Sequence, residues 1–239
     1  MNIEEFGIKL YCGNSVDIMN SLPENSIDCV ICDPPYKTTK RGNSDNYGGF
    51  FKKESAMNGN GGFNCNETPI EDFLKPLFRI MKDGSHGYIM INDVNLIDYH
   101  LKIEKTGFSI FKTLIWKKNT VVANTYYMNQ HEYIIFFRKG SAKIINNCSS
   151  KSILEYNNPH SKVHPSQKPV SLLTRLITNS SNKNDTILDF AMGYGSTGIA
   201  SYNSNRKFIG IDIDEYWYSK AKDRITDRIE EDQRQLKLF

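Results

Sequence analysis

An α/β fold built on an open, mostly parallel sheet is predicted by three segments of the sequence. Ile27-Asp28-Cys29-Val30-Ile31-Cys32 is a short run, rich in Ile and Val, that stops at Asp33-Pro34-Pro35-Tyr36. Thr186-Ile187-Leu188-Asp189 runs into Phe190-Ala191-Met192-Gly193-Tyr194-Gly195-Ser196-Thr197-Gly198, which reads as a strand, a glycine turn and a helix start. Lys207-Phe208-Ile209-Gly210-Ile211-Asp212-Ile213-Asp214 is a further apolar run that ends in carboxylates. In open α/β sheets, ligands sit where such runs end, outside the carboxyl ends of the strands.

The run before Asp33 is too brief for a helix and reads as a buried strand. Two consecutive prolines remove two N–H donors and fix φ, so neither strand nor helix continues through them. A carboxylate, an aromatic ring and free carbonyls are thereby held stiffly at a strand end. In the second segment, Gly193 and Gly195 permit a tight turn close to a ligand, and Ser196 or Thr197 can cap the following helix. Asp212 stands nineteen residues beyond Gly193. That is the spacing at which Rossmann-like folds set an acid on ribose hydroxyls. It suits a nicotinamide cofactor equally well, and the Asp-Pro-Pro-Tyr loop breaks the tie.

Between and beyond these motifs, strands and helices alternate. Residues 70–81 carry a helical stripe of Phe73, Leu74, Leu77, Phe78 and Met81. Residues 88–91 read as a strand, and 93–105 as a helix with Asn92 or Asp93 near its cap and Gly107 beyond its end. Residues 109–116 and 133–137 read as strands with a long connection between them. Residues 169–179, 197–204 and 215–230 complete the helices, and the polar tail 230–237 is expected to fray. No internal repeat is present.

With a third motif, His164-Pro165-Ser166-Gln167-Lys168-Pro169-Val170-Ser171-Leu172-Leu173, the chain resembles the amino-group DNA methyltransferases that use S-adenosylmethionine. The order, with Asp-Pro-Pro-Tyr ahead of the glycine turn, resembles that of their circularly permuted β group. Weaker matches are Leu10-Tyr11-Cys12-Gly13-Asn14-Ser15, Trp116-Lys117-Lys118-Asn119 and His131-Glu132-Tyr133-Ile134-Ile135-Phe136-Phe137. The resemblance implies a Rossmann-like methyltransferase fold, a mostly parallel twisted sheet with helices on both faces, in circularly permuted motif order. It implies Asp33, Pro34, Pro35 and Tyr36 as the catalytic loop. Cofactor contacts are implied for Asn14, Asp33, Lys168, Asp189, Phe190, Ala191, Gly193, Gly195, Ser196, Thr197 and Asp212. S-adenosylmethionine is the expected cofactor, without a metal, and double-stranded DNA the expected partner. A homodimer and a cognate restriction enzyme are compatible with the family, as is a bacterial or phage origin with a place at the nucleoid. Asn14 stands where relatives usually carry Asp, and Phe190, Ala191 and Tyr194 depart from the usual glycine turn.

The chemistry agrees with this resemblance. An exocyclic amino nitrogen is a poor nucleophile because its lone pair is delocalised into the ring. Asp33 and the Pro34 carbonyl can accept its two hydrogens, and these contacts strengthen as positive charge develops on nitrogen. The base must leave the duplex to be reached, and Tyr36 offers a face on which to stack it. Asp at the first motif position resembles the adenine-N6 enzymes more than the cytosine-N4 enzymes. A catalytically silent DNA-binding subunit is the alternative from another class.

Composition sets the frame. The chain of 239 residues is 39% hydrophobic, enough for one catalytic domain over 1–239. No apolar stretch approaches the roughly 20 residues that span a membrane, and the opening residues lack a signal-peptide pattern, so a cytoplasmic protein is expected. Cys29 and Cys32 form a C-x-x-C inside a predicted strand, where they would point to opposite faces. No His and Cys cluster has zinc spacing. The net charge is only +3, but Lys37, Lys40, Arg41, Lys52 and Lys53 fall with Tyr47, Phe50, Phe51 and Phe63 in a Gly-, Asn- and Ser-rich segment at about 37–66. A loop of that length is expected to be mobile when free and ordered over DNA. A short polar insertion at about 139–163 is the expected target-recognition region, with Lys143, Lys151, His160 and Lys162 as candidates for phosphate contacts.

Overall fold

The computed structural model describes residues 2–35, 69–123, 126–159 and 167–236. Its sheet has eight strands: β1 (Ile8–Cys12), β2 (Ile27–Cys32), β3 (Met81–Ile91), β4 (Ser109–Val122), β5 (Asn129–Arg138), β6 (Ile153–Glu155), β7 (Thr186–Asp189) and β8 (Lys207–Asp212). Their spatial order is β1-β8-β7-β2-β3-β5-β4-β6. β5 alone runs against the others, pairing antiparallel with β3 and β4. The described α-helices are α1 (Ser15–Ser21), α2 (Ile70–Ile80), α3 (Asp93–Lys105), α4 (Val170–Ser180), α5 (Ser196–Asn203) and α6 (Glu215–Leu236). The expected mostly parallel α/β sheet is therefore present, and the loop expected at 37–66 lies outside the described residues.

Period-two alternation in β2 sorts the core into two layers. Cys29 and Ile31 pack with Leu172, Leu173, Leu176 and Ile177 of α4 and with Ala221, Ile225 and Ile229 of α6. Val30 and Cys32 pack on the other face with Leu74 and Leu77 of α2 and with Tyr99 and Ile103 of α3. Each such fully buried aliphatic side chain contributes about 1.5–3 kcal/mol. The two cysteines thus face opposite layers, as their spacing predicts, and both are free thiols.

Several boundaries differ from the expected ones. α2 ends at Ile80, and Met81 already belongs to β3, which begins well before residue 88. The polar opening of β3 hid this strand: Lys82 pairs with Asp28 at 2.6 Å, and buried His86 meets Ser180 Oγ at 2.8 Å and the Lys143 carbonyl at 3.0 Å. β4 and β5 run on to Val122 and from Asn129, so the connection between them is short rather than long. α6 continues to Leu236, beyond the point where fraying is expected.

The segment after β5 climbs one edge of the sheet. It starts beside the early residues of β3, where the Gly84 N–H donates to the Lys139 carbonyl at 2.8 Å. Asn146 then donates to the Thr178 and Ser181 carbonyls, both at 2.9 Å. β6 follows, paired with Ile115, Trp116 and Lys117 of β4, and the Asn158 amide N–H reaches Asn119 at 2.9 Å. Through residue 159 this stretch is bound to the body of the fold, and Lys143 sits near the amino-terminal half of β3, away from Asp33. Residues 160–166, with His160 and Lys162, lie outside the described residues.

Gly87 of β3 is paired with Phe137 of β5, and a Cβ there would stand 2.1 Å from that buried ring. Gly87→Ala is expected to lower the urea midpoint with an unchanged m-value, by about 1–3 kcal/mol for an overpacked site.

Candidate active site

The carboxyl ends of β1, β8, β7, β2 and β3 meet at one edge of the sheet. β7 and β2 are neighbours, with Cys29 beside Ile187 and Val30 beside Leu188, which sets Asp33 just past the level of Asp189. β7 continues into α5 toward β8, whereas β2 is followed in the sheet by β3 on the other side. This reversal of strand order is where an open α/β sheet forms its crevice.

Asp33, Pro34 and Pro35 emerge from β2 into this crevice. The Tyr99 hydroxyl of α3 donates to the Pro35 carbonyl at 3.3 Å and fixes the loop. Lys168 Nζ lies 2.6 Å from Asp33 Oδ2 and 3.2 Å from Glu132 Oε2. Glu132 Oε1 in turn meets Lys118 Nζ at 2.5 Å. Four charges from four parts of the chain therefore alternate in sign, and among the described residues Asp33 Oδ1 is buried without a hydrogen-bond partner. Burial pushes the Asp33 carboxyl up, Lys168 pulls it back, Glu132 pushes it up again, and the balance lies above the ordinary carboxylate value. For Glu132, burial is outweighed by Lys168 and Lys118, which hold it below that value.

The glycine turn occupies the neighbouring part of the crevice. Gly193 and Gly195 adopt φ of 50° and 72°, conformations that L side chains avoid. The Asp189 carboxylate accepts the Ala191 N–H at 3.1 Å and the Thr197 hydroxyl at 2.6 Å, locking strand, turn and helix together. Asp212 accepts the Gly193 N–H at 2.8 Å through one oxygen and the Asp214 N–H at 2.9 Å through the other. Each of its oxygens keeps further acceptor capacity. Left-handed glycines beside a partly accessible carboxylate fit a ligand that carries hydroxyl groups and positive charge.

The remaining expected site residues fall into distinct places. Asn14 caps α1, its side-chain oxygen accepting from Val16 and Asp17. Phe190 turns its ring into the core, stacked on Phe73 with centroids 5.3 Å apart, and its carbonyl accepts the Ser15 hydroxyl. Ser196 meets Arg224, whose guanidinium also lies over the Tyr194 ring at 4.5 Å, so Tyr194 is bound to α6. Lys168, expected with Asp33 among the cofactor contacts, lies within reach of the Asp33 carboxylate. Tyr36 and residues 164–166 lie outside the described residues. Glu132 and Lys118 were not among the expected site residues, although the weaker motif matches at 116–119 and 131–137 contain them. Among the described residues, no group of three or more His, Cys, Asp and Glu could hold a metal, and no helix is long and apolar enough to cross a membrane.

Comparison with known proteins follows the same lines. The N6/N4 methyltransferase family, described as DNA methylase, matches residues 27–223. The Type II methyltransferase M.HpaI of Haemophilus parainfluenzae is 29% identical over 244 residues, which cover 91% of this chain and 74% of that protein. Among solved structures, a complex of M1.HpyAVI with SAM has a TM-score of 0.69 at 22% identity, covering 91% of this chain and 99% of its own. The PvuII DNA methyltransferase, titled as cytosine-N4-specific, has a TM-score of 0.72 at 15% identity, covering 93% and 91%. Both share the fold of this chain.

The crevice carboxylates give the fold a pH signature. Burial raises Asp189 from the ordinary 3.8 to about 7 and Asp212 to about 6. The folded chain therefore holds protons that the unfolded chain has released, and the associated stability is present at low pH and lost as pH rises through the folded values. Asp189→Asn preserves the acceptor for Ala191 and removes the charge. Its melting temperature is expected to fall less steeply than that of the parent between about pH 4 and pH 7, which thermal melts across that range will measure.

Proposed function

The chain belongs to the DNA methylase family of N6/N4 amino-methyltransferases, and we propose that it methylates N6 of an adenine flipped out of duplex DNA, with S-adenosylmethionine as donor. The observation that carries this reading is Asp33 at the crevice, with one oxygen paired to Lys168 and the other buried without a hydrogen-bond partner among the described residues. A buried acceptor with no donor is costly unless a ligand supplies one, and an exocyclic amine does so.

Bound S-adenosylmethionine supplies a methyl group on a sulfonium, an electrophile that needs neither metal nor covalent enzyme intermediate. The chain's own groups prepare the nucleophile. Asp33 Oδ1 accepts one amino hydrogen and the Pro34 carbonyl the other, drawing the nitrogen lone pair out of conjugation and toward the methyl. As nitrogen becomes cationic, both contacts strengthen, which is the differential stabilisation that lowers a barrier. The methylated nitrogen is strongly acidic and releases its proton toward water. Tyr36 is assigned the stacking face for the flipped base. Asp212 is assigned the ribose hydroxyls of the donor, and the turn from Ala191 to Gly195 its close backbone contacts.

Asp rather than Ser at the head of the catalytic loop favours adenine, while the likeness to the PvuII enzyme extends to the fold alone. The whole chain is read as one catalytic domain, with the basic and aromatic segment at 37–66 placed over DNA. The relative M.HpaI carries a Type II name, which is the basis for expecting a cognate restriction enzyme.

Incubation of the purified protein with unmodified genomic DNA and S-adenosylmethionine, followed by mass spectrometry of the nucleosides, is expected to yield N6-methyladenine. N4-methylcytosine would replace the base and keep the mechanism. Asp33→Ala is expected to abolish transfer while sparing most of the affinity for the methyl donor in a binding titration; equal loss of both would refute the assigned role. Tyr36→Ala is expected to lower the rate on duplex DNA more than it weakens donor binding, and an unchanged rate would remove Tyr36 from the site.

A further inference from the structure

We propose that Glu132 is a positioning residue for the reaction: it grips Lys168, which pins Oδ2 of Asp33 and leaves Oδ1 to the amino group of the target base, while Lys118 steadies Glu132 from behind. The proposal rests on Asp33 being the acceptor of that amino group. Neither Glu132 nor Lys118 reaches Asp33 directly, so both act through Lys168.

The geometry supports each link. Asp33 directly follows Cys32, the last residue of β2, and precedes Pro34, so its backbone alone does not fix the carboxylate rotamer. Lys168 precedes Pro169 and α4, and its side chain is 10% exposed. A buried ammonium requires compensation by anions. Among the described residues it meets two, Asp33 at 2.6 Å and Glu132 at 3.2 Å. Glu132 lies in β5 opposite Trp116. Lys118, two residues beyond Trp116, extends over that ring at 4.9 Å from its centroid, and the Trp116 Nε1–H donates to the Tyr156 carbonyl at 2.8 Å. The anchor is therefore built into the rigid β4–β5 ladder. Oxygen by oxygen, Glu132 divides its contacts between the two lysines, Oε1 hydrogen-bonded to Lys118 and Oε2 in a charge contact with Lys168 that lacks hydrogen-bond geometry. Such an arrangement holds a long lysine chain in one geometry and leaves a single acceptor atom of Asp33 for the substrate.

The charge pattern also tunes Asp33. The groups acting on it from the packed elements are Lys168 before α4, Glu132 on β5, Lys118 on β4, Cys32 and Asp189 at the ends of β2 and β7, and Tyr99 on α3. Glu132 raises the Asp33 carboxyl, whereas Lys168 and Lys118 lower it. Transfer requires ionised Asp33, so the rate falls on the acid side as that carboxyl takes up a proton. Removing Glu132's charge moves this acid limb to lower pH, and removing Lys118's charge moves it to higher pH. A role confined to stability moves neither.

The test is single-turnover methylation of an oligonucleotide duplex across a pH series with Glu132→Gln, Lys118→Met and Asp33→Asn, alongside titration of S-adenosylmethionine. Glu132→Gln is expected to lower the maximal rate by about 10²-fold, as a small misplacement of a catalytic group does, with donor affinity unchanged and the acid limb displaced downward. Lys118→Met is expected to give a smaller loss with the limb displaced upward, and it tests the chain independently should Glu132→Gln fail to fold. Limbs unmoved in both variants, or loss of donor affinity in step with the rate, would overturn the proposal. Asp33→Asn separates the two levels. If it remains active, the assignment of Asp33 itself falls; if it is inactive while Glu132→Gln and Lys118→Met match the parent, only the positioning role falls.

Discussion

The ion pair between Asp33 and Lys168 joins positions 135 residues apart, and much of the site depends on it. Asp33 ends a strand whose every residue from Cys29 onward is buried, so its carboxylate stands against an apolar wall. An uncompensated carboxylate in such a place takes a proton rather than keep its charge. Lys168 opposes that, but a largely buried lysine is no more tolerable alone than a buried carboxylate. Glu132 compensates Lys168, and Lys118 compensates Glu132. The strand end, the residues just before α4 and the β4–β5 ladder must all be in place before any one of these charges is tolerated. Removing one member of a buried pair typically costs about 3–5 kcal/mol, so the arrangement constrains the fold as firmly as it shapes the site.

The other half of the crevice is built on a different principle. Among the described residues no ion pair reaches Asp189 or Asp212; backbone N–H groups, the Thr197 hydroxyl and the Cys32 thiol hold them. Burial raises both carboxyls well above the ordinary value, which is the expected response of acids without a counter-charge. The site is thus balanced on the side of Asp33, where two acids meet two lysines, and acidic on the side of the glycine turn.

The strands that feed the crevice, β2 and β7, were legible in the sequence, and the polar and outer stretches of the sheet were not. β2 is found at its expected bounds, and α3 likewise, because Asn92 caps it and Gly107 follows its end. The alternation of Cys29 and Cys32 between layers was legible from period two alone. The start of β3 was not, since Lys82, Asp83 and His86 look like a turn until Asp28, the Ser141 N–H and Ser180 are seen to satisfy them in that order. The ends of β4 and β5 were missed for a related reason: their outer residues are exposed, and no apolar alternation marks a ladder that projects beyond the core. Within the site, Asp33 and the glycines could be placed from local sequence. Glu132 and Lys118 could not, because their role arises from a pairing across β4 and β5 and then across to residue 168, and nothing local distinguishes them from ordinary strand charges.

The opposite edge of the sheet explains why the order of motifs along the chain does not disturb their geometry. Asp28 receives Lys82 on one oxygen at 2.6 Å and the Thr186 N–H on the other at 2.9 Å. One carboxylate thereby fixes where β3 and β7 begin relative to β2, although β7 enters the chain 158 residues later. Strand register has a period of two, and a slip of one residue would exchange the layers faced by Cys29 and Ile31 with those faced by Val30 and Cys32. Both layers are densely filled, so such a slip is excluded by packing, and the polar contacts at Asp28 select among the remaining alignments. With the lower edge fixed, the heights of Asp33 and Asp189 at the upper edge follow from strand rise alone. The Asp33 loop and the glycine turn therefore meet because their strands are neighbours, and any chain order that preserves this neighbourhood assembles the same crevice.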